Sequence, residues 1–372
     1  MTNLDTRLRD LKTALAGLPR VSLAHLPTPL DRCERLGAEL GGLDLWVKRD
    51  DATGLALGGN KTRQLEYIIG FALSQGHDCI IQGAASQSNH ARQLAAAGAK
   101  LGLEVHLTPW LDARSSPVQG NFLLSHLYGA KLHPIAAGES SVEAKAALAE
   151  RLKAEGKNPF IVGMGAHDAL VLAAVAYIDA FVEILEQLGE AGPPDWLFTT
   201  SQGSTQAGLL AAVRILGLDT RVVGINPMGP EHEAYTAPDV IASMVVEAAQ
   251  RVGHELVLAD GAVDNRTDYV GPAYGVPSAA GLDAIRRLAS SEGILSDPVY
   301  SGKGFSGVIG AAESGELKRG DKVVFVHTGG LPIVFAYADE VLAGYAAGQG
   351  AQGAEAPTVS QGGTDEHRNQ QR

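Results

Sequence analysis

The sequence contains only two cysteines, Cys33 and Cys79, which show neither metal-ligand spacing nor the pattern of a disulfide framework. We therefore expect a cytoplasmic protein without a metal site, since a reducing compartment is the default for such a chain. Basic residues are also few, because 30 lysines and arginines face 42 acidic residues, for a formal net charge of −12. Clustered basic residues bind phosphate backbones, so this balance argues against nucleic acid or an anionic membrane as a partner.

Hydrophobic runs of membrane-spanning length are absent as well, and the first twenty residues lack the apolar core of a signal peptide. What the chain has is 45 glycines and 45% hydrophobic residues over 372 positions. Short β-type runs alternate with helical stretches, which predicts an α/β fold with parallel strands joined by crossover helices. A single core stops growing at about 300 residues, so we expect two lobes. The predicted strands are 44–49, 78–83, 104–110, 131–135, 159–163, 195–200, 221–227 and 322–330.

The stretch GGNKTRQLE places Lys61 where a helix is predicted to begin, with Asn60 as its N-cap. The predicted buried face of this helix consists of Leu65, Ile68, Ile69, Ala72 and Leu73. A cation at a helix N-terminus faces the positive end of the dipole, which lowers the pKa of an amine and makes it a nucleophile for an aldehyde cofactor. Taken alone, the stretch is better explained as an exposed lysine after a glycine loop.

Three further turns follow predicted strands. QSNHAR, with Ser88, Asn89 and His90, offers donors to a carboxylate, although Ser88 or Asn89 as a helix cap explains it too. GSTQAG, from Gly203 to Gly208, predicts a generic phosphate cup, because it matches neither a P-loop nor a dinucleotide fingerprint. HTGG places Thr328 at the carboxyl end of a buried strand, where open α/β sheets bind ligands. Turns without a ligand are the alternative for both.

Six motifs together resemble one family, namely GGNKTRQLE, QSNHAR, GSTQAG, AYGVPS, DPVYSGKGFSGVI and HTGGLP. They are similar to the pyridoxal-phosphate enzymes of the D-cysteine desulfhydrase and 1-aminocyclopropane-1-carboxylate deaminase family. The resemblance implies the tryptophan synthase β-like fold (fold type II), in which each lobe has a mainly parallel twisted sheet flanked by helices. It implies a larger cofactor-binding domain over 1–60 and 175–345, a smaller α/β domain over 61–174, and a homodimer. Residues 346–372 have few large apolar side chains and are predicted to be a disordered tail.

The resemblance also implies a role for each motif residue. Lys61 would anchor pyridoxal 5′-phosphate as a Schiff base, and Asn89 would bind the phenolic oxygen of the cofactor. Ser88 and His90 would lie beside the substrate carboxylate, and Tyr274 and Tyr300 would flank the ring and the substrate. The remaining implied cofactor contacts are Gly203, Ser204, Thr205, Gln206, Ser301 and Thr328.

Two positions depart from the family pattern. Gln64 stands where many relatives have a second lysine that helps to neutralise the phosphate, and Ser301 stands where the deaminase branch has a glutamate near the pyridine nitrogen. A neutral partner at that nitrogen would weaken the electron sink, which suits loss of a good leaving group such as thiolate. We therefore expect α,β-elimination on a small β-substituted amino acid, with D-cysteine giving pyruvate, sulfide and ammonia.

Several alternatives stay open at this stage. L-cysteate with release of sulfite, or cyclopropane ring opening by a deaminase, would use the same site. A non-catalytic two-lobed binding protein would show the same strand and helix alternation, but it has no need for a lysine at a helix start. A nicotinamide-dependent oxidoreductase is disfavoured because the dinucleotide fingerprint is missing.

Overall fold

In the computed structural model, which describes residues 3–136, 138–229 and 232–349, ten strands form two separate sheets. The strands in chain order are β1 Leu30–Arg32, β2 Asp44–Lys48, β3 Cys79–Ala85, β4 Glu104–Trp110, β5 Lys131–Leu132, β6 Pro159–Val162, β7 Trp196–Thr200, β8 Arg221–Ile225, β9 Asp264–Arg266 and β10 Lys322–Val326. One sheet has six strands in the order β1-β2-β10-β7-β8-β9, and the other has four in the order β5-β4-β3-β6. All pairs are parallel except β1 with β2.

Helices surround both sheets, as parallel strands require for their crossover connections. They are α1 Asn3–Ala16, α2 Glu34–Glu39, α3 Asn60–Ser74, α4 Asn89–Leu101, α5 Gly120–Leu127, α6 Ser141–Ala154, α7 His167–Leu188, α8 Ser204–Leu216, α9 Glu233–Thr236, α10 Pro238–Arg251, α11 Ala279–Glu292, α12 Ser301–Glu313, α13 Leu331–Ala336 and α14 Ala338–Gln349. The α/β fold with mainly parallel sheets flanked by helices is thereby confirmed.

Helix α7 lies at the centre of the molecule. It packs against α3, α8 and α10, and fifteen of its 22 residues are buried. Its C-terminal part joins the core cluster that also contains residues of α1, α8 and β10. Its first turns instead pack with α3 and α4 around the four-stranded sheet. One long, mostly buried helix therefore links the cores of both sheets.

The predicted helix at Lys61 is α3, with two differences in detail. It begins one residue earlier than expected, so that Gly59 and not Asn60 occupies the N-cap position. Leu65, Ile68, Ile69 and Ala72 are buried as predicted, whereas Leu73 is 42% exposed. The reason is its position in the last turn, where α3 ends at Ser74 and no further element covers it.

The division into domains stays a prediction. The strands of the four-stranded sheet all lie within 79–162, and those of the six-stranded sheet lie before and after that segment. The predicted tail at 346–372 falls outside the described residues except for its first four positions, which belong to α14. In the part of the chain that the structure describes, no helix is long and apolar enough to cross a membrane.

Candidate active site

A deep cleft lies at the carboxyl ends of strands from both sheets, between the first turns of α3, α4 and α8. It encloses about 1300 Å³ of space between atoms, with the open mouth included. Thr200 ends β7, Ala85 ends β3, and Trp110 ends β4; all three line the cleft. Nine predicted site residues also line it: Lys61, Ser88, Asn89, His90, Ser204, Thr205, Tyr274, Tyr300 and Thr328.

Lys61 is the only lysine or arginine among the described residues that line the cleft, and these include no aspartate or glutamate. Burial lowers the pKa of its amine to about 8. In the described part of the chain, no hydrogen-bond acceptor or carboxylate contacts Lys61 Nζ. A larger fraction of this half-buried amine is therefore unprotonated near neutral pH than in an ordinary lysine, which makes it a better nucleophile.

The start of α3 is held in place by backbone geometry that only glycine tolerates well. Gly59 has φ +126°, and a Cβ there would lie 2.5 Å from the Gln93 amide nitrogen. Gln93 Oε1 in turn accepts hydrogen bonds from Thr62 N at 2.7 Å and Thr62 Oγ1 at 2.8 Å. The position of Lys61 is therefore set by contacts on both sides of it.

Polar groups of Asn60, Gln64, Ser204 and Thr205 gather at the start of α8 and form what we call the phosphate cup. The first backbone N–H groups of α8 have no carbonyl to bind within the helix, and Gly203 precedes them with φ +116°. Gln64 Nε2 approaches Ser204 Oγ at 3.4 Å and Thr205 Oγ1 at 3.2 Å, and Asn60 Nδ2 lies 3.3 Å from Thr205 Oγ1. Hydroxyls, amides and a helix N-terminus together suit a phosphate.

The start of α4 presents donors on another wall of the cleft. Ser88 is the N-cap, and its Oγ accepts a hydrogen bond from Ala91 N at 3.2 Å, which leaves its hydroxyl hydrogen free for a ligand. Burial, with Lys61 and Lys145 nearby, lowers the pKa of His90 to about 3, so this side chain is neutral. His90 Nε2 is buried and has no partner in the described residues. An unsatisfied buried donor or acceptor in a cleft is expected where a ligand binds.

Two tyrosines close the cleft opposite α4. The hydroxyls of Tyr274 and Tyr300 are 2.5 Å apart. Burial raises the pKa of both, and that of Tyr300 well above its usual range, so both stay protonated. His232 packs edge-on against the Tyr274 ring with 5.6 Å between ring centres. Both hydroxyls of this wall are therefore protonated hydrogen-bond donors, and neither tyrosine is a phenolate.

The structure places two predicted cofactor contacts away from the cleft. Ser301 is fully buried, and its Oγ lies 2.6 Å from Asp297 Oδ2 and 2.9 Å from Gly329 O. Gln206 donates from Nε2 to Asp264 O at 2.7 Å, because its position in α8 turns the side chain towards β8 and β9. Of the two, only the backbone of Gln206 remains near the phosphate cup. Gly203 contributes through its backbone conformation.

Sequence reasoning missed several lining residues, among them Trp110, Thr200, Met164, Met228 and His232. Trp110 and Thr200 end predicted strands, so the rule that ligands bind at carboxyl strand ends would have found them. Met228 and His232 follow no motif. In the described residues, no group of three or more His, Cys, Asp or Glu side chains could hold a metal ion.

Comparisons with known proteins agree with this geometry. The model of the pyridoxal-phosphate dependent enzyme family matches residues 21–329. The D-cysteine desulfhydrase of Salmonella newport (strain SL254) is 36% identical over 331 residues, which cover 87% of this chain and 97% of that protein. The crystal structure of an ACC deaminase homologue has a TM-score of 0.79 and 33% identity, and covers 90% of this chain and 99% of its own. Escherichia coli diaminopropionate ammonia lyase, at 15% identity and TM-score 0.63 with 91% of each chain covered, shares the fold.

Proposed function

The chain belongs to the pyridoxal-phosphate-dependent enzyme family, and from this premise we propose that it eliminates the β-substituent of a small amino acid, with D-cysteine as the preferred substrate. The observation that carries the proposal is the single cleft lysine, Lys61, whose pKa burial lowers to about 8. Lys61 lies in the same cleft as the phosphate cup at the start of α8 and the hydrogen-bond donors at the start of α4. The residues present thus fit an aldehyde-bearing phosphate ester.

Each wall has a separate task in the proposed reaction. The backbone donors of α8, with Ser204, Thr205 and Gln64, would hold the phosphate, and Asn89 would bind the ring oxygen. Bound pyridoxal phosphate supplies the electron sink that accepts the electron pair released when a bond to the α-carbon breaks. Ser88 and the neutral His90 would orient the substrate carboxylate.

Proton movements fall to the remaining side chains. The Lys61 amine, with its lowered pKa, is suited to remove the α-proton once the substrate has displaced it. The C–S bond would then break and the thiolate would leave with the bonding pair. The proton taken up by Lys61 would pass to the thiolate, assisted by hydrogen bonds from the protonated Tyr274 and Tyr300 hydroxyls. Water completes the conversion of D-cysteine to pyruvate, ammonia and hydrogen sulfide.

The composition of the cleft supports thiolate over sulfonate as the leaving group. Loss of sulfite from L-cysteate would place a permanent anion beside the reacting carbon. Lys61 is the only lysine or arginine among the described lining residues, and His90 is neutral. Met164, Met228 and Trp110 give the pocket soft, weakly polar surface that suits sulfur instead.

Ring opening of aminocyclopropane carboxylate is less well supported. A carbon leaving group needs a stronger electron sink, which a carboxylate at the pyridine nitrogen would provide. Thr328 offers only a neutral hydroxyl, and the described lining residues contain no carboxylate. The resemblance to an ACC deaminase homologue keeps this substrate in the test.

The decisive experiment is a release assay on D-cysteine, L-cysteine, L-cysteate and aminocyclopropane carboxylate with the cofactor-loaded protein. We expect D-cysteine to give the highest kcat/KM, with equal amounts of pyruvate and sulfide. Lys61→Ala should lower turnover by about 10² to 10⁴-fold, the usual contribution of a general base. A loaded protein that is inactive on all four compounds, or a fully active Lys61→Ala variant, would refute the proposal.

The site of attachment provides an internal control. Borohydride reduction followed by peptide mass spectrometry should place the pyridoxyl group on Lys61. Burial also lowers the pKa of Lys145 and Lys303 to about 8, but both donate to backbone carbonyls and lie outside the cleft lining. A label on either of these would show that a low pKa, and not the cleft, selects the lysine.

We also propose a cytoplasmic homodimer. The two free, buried cysteines fit a reducing compartment. Large apolar side chains on α5, α13 and α14 are exposed, including Leu127 at 70%, Phe335 at 67% and Leu342 at 63%. Exposed apolar residues gathered on neighbouring helices are typical of a surface that another protein covers.

A further inference from the structure

The amide of Asn89 has a defined orientation in the cleft wall. Its Oδ1 accepts a hydrogen bond from Asn121 Nδ2 at 2.9 Å and another from Arg92 Nη1 at 3.3 Å. Both partners are donors, so the oxygen of the amide must face them. In the described part of the chain Asn89 Nδ2 contacts no acceptor, and the residue lines the cleft.

Asn121 is itself fixed, because all of its side-chain groups are used. Its Nδ2 donates to Gln87 O at 2.7 Å as well as to Asn89, and its Oδ1 accepts from Arg92 Nη1 at 3.0 Å. Turning the amide over would place its oxygen against Gln87 O and its NH₂ against the guanidinium. Asn121 is completely buried in the first turn of α5, so water cannot replace these partners.

Arg92 connects this network to the segment before Lys61. It is completely buried, its Nη2 lies 2.5 Å from Gly58 O, and among the described residues no carboxylate accepts a hydrogen bond from it. A buried guanidinium without a carboxylate is costly to a fold. Its hydrogen bonds all go to the two asparagines and to the turn that leads into α3, so it serves the geometry of the cleft and not an ion pair.

We propose that Arg92 and Asn121 are positioning residues that hold Asn89 Nδ2 towards the cleft as a hydrogen-bond donor for the ring oxygen of the cofactor. This inference rests on the proposed function for the identity of the ligand. Neither residue is among the residues that line the cleft. They act by presenting a donor, where the opposite amide orientation would present an oxygen and disfavour an ionised ring oxygen.

The test variant is Asn121→Asp, which has nearly the same shape and still accepts a hydrogen bond from Arg92, but can no longer donate to Asn89 Oδ1 or to Gln87 O. Urea unfolding of the variant measures the cost of the contact with Gln87 O separately from the change in cofactor binding. A carboxylate cannot donate to Asn89 Oδ1, so the Asn89 amide should turn over and present its oxygen to the cleft. We expect about tenfold weaker binding of pyridoxal phosphate to the apoprotein, as for a lost hydrogen bond to a charged group. The bound cofactor should also absorb more strongly in the shorter-wavelength band of the un-ionised ring oxygen.

Two controls separate orientation from packing. Ser125→Ala removes a hydrogen bond to Asn121 O from the next turn of α5 without touching the amide, and should leave affinity and spectrum unchanged. In an Asn89→Ala background, Asn121→Asp should cause no further loss of cofactor affinity, because the Asn89 amide that Asn121 orients is absent.

Three outcomes would each overturn the proposal. Asn121→Asp could keep the wild-type cofactor affinity and spectrum, or Ser125→Ala could lose as much cofactor affinity as Asn121→Asp does. In the third, Asn121→Asp would lower the cofactor affinity of the Asn89→Ala variant by as much as it lowers that of the wild type. These readouts need only cofactor binding. Suppose that Asn121→Asp shows the expected loss of cofactor affinity and the expected spectral change, but that the wild-type protein turns over no amino acid. That result would refute the proposed function and still support this inference.

Discussion

Gln64 stands in the phosphate cup where a cation would be expected, with Nε2 within 3.4 Å of the hydroxyls of Ser204 and Thr205. We predict that Gln64→Lys binds pyridoxal phosphate about tenfold more tightly, since a charge-assisted hydrogen bond is roughly twice as strong as a neutral one. Gln64→Leu should bind it more weakly. Fluorescence titration of the apoprotein measures both effects.

The matched control for Gln64 is a glutamine at the other end of α3. Gln75 is an exposed residue just after the last turn of α3, and Gln75→Lys adds the same charge far from the cup. Its cofactor affinity should equal that of the wild type. Weaker binding by Gln64→Lys would mean that the dehydration of a buried ammonium outweighs its attraction to the phosphate.

Individual residues could be predicted from the sequence where a strand-to-helix turn fixes them. Lys61 and Thr205 have their chemistry in the motif itself, and both lie in the cleft. Ser301 and Gln206 were assigned by resemblance, but their side chains follow local hydrogen bonds to Asp297 and to Asp264 O. Residues that act through another side chain, such as Asn121, leave no local pattern because their partner is 32 positions away.

At the level of elements, the first turn of α3 depends on Gly59. An alanine there would adopt φ +126° and bring a Cβ to 2.5 Å from the Gln93 amide, which also binds Thr62. We predict that Gly59→Ala lowers the free energy of unfolding by about 1 to 3 kcal/mol through backbone strain, because φ +126° with ψ 158° is a conformation that essentially only glycine adopts. Displacement of Gln93 should lower the free energy of unfolding by about 1 to 3 kcal/mol more, and it should also weaken cofactor binding.

Gly76, just past the other end of α3, supplies the control for this prediction. It has φ +77°, and a Cβ there would meet nothing within 4 Å. Gly76→Ala should therefore show the strain alone in urea unfolding, with unchanged affinity for pyridoxal phosphate. Equal losses of affinity in the two variants would show that α3 responds as a whole and not through the contact with Gln93.

Elements differ in how far the sequence specifies them. All eight predicted strands are present, and most of them are rich in apolar residues between turn residues, whereas β5 is reduced to Lys131 and Leu132, neither of them buried. The edge strands β1 and β9 were not predicted, since each has three residues, none of the six is buried, and the segments LDR and DNR are mostly polar. Without burial there is no hydrophobic pattern, and their pairing depends on the neighbouring strand in the sheet.

At the scale of the whole molecule, a buried ionic cluster joins β2, α3 and α7. We define the cluster as Lys48, Asp50, Arg63 and Glu183. Arg63 binds Asp50 at 2.9 Å and Glu183 at 3.0 Å, while Lys48 binds Glu183 at 2.5 Å. The cluster contains two positive and two negative side chains, so its net charge is zero. Arg63 follows Lys61 by two positions, so the cluster connects the cofactor lysine's helix to the core of the protein.

Arg63→Met should destabilise the protein by about 3 to 5 kcal/mol at neutral pH, because it leaves an uncompensated buried carboxylate. The same substitution at Arg286, which forms an exposed pair with Asp283, should change the free energy of unfolding by less than about 1 kcal/mol. Urea unfolding of the two variants measures both values. A loss of similar size in the two would show that the cluster adds nothing beyond ordinary surface pairing.

The pH dependence of the Arg63→Met effect distinguishes charge from packing. Burial alone would raise the pKa of Asp50, but Arg63 and Lys48 hold it below the usual value, and Glu183 is affected in the same direction. In the wild type this stabilisation is present above the unfolded pKa of about 4 and is lost as pH falls through the folded values. Without Arg63 the pKa of Asp50 should rise above the unfolded value, so protonation of Asp50 stabilises the variant as the pH falls from 7 to 4, while the wild type keeps its stabilisation down to about pH 4. The difference in unfolding free energy should therefore narrow between pH 7 and pH 4, whereas a packing defect would leave it constant.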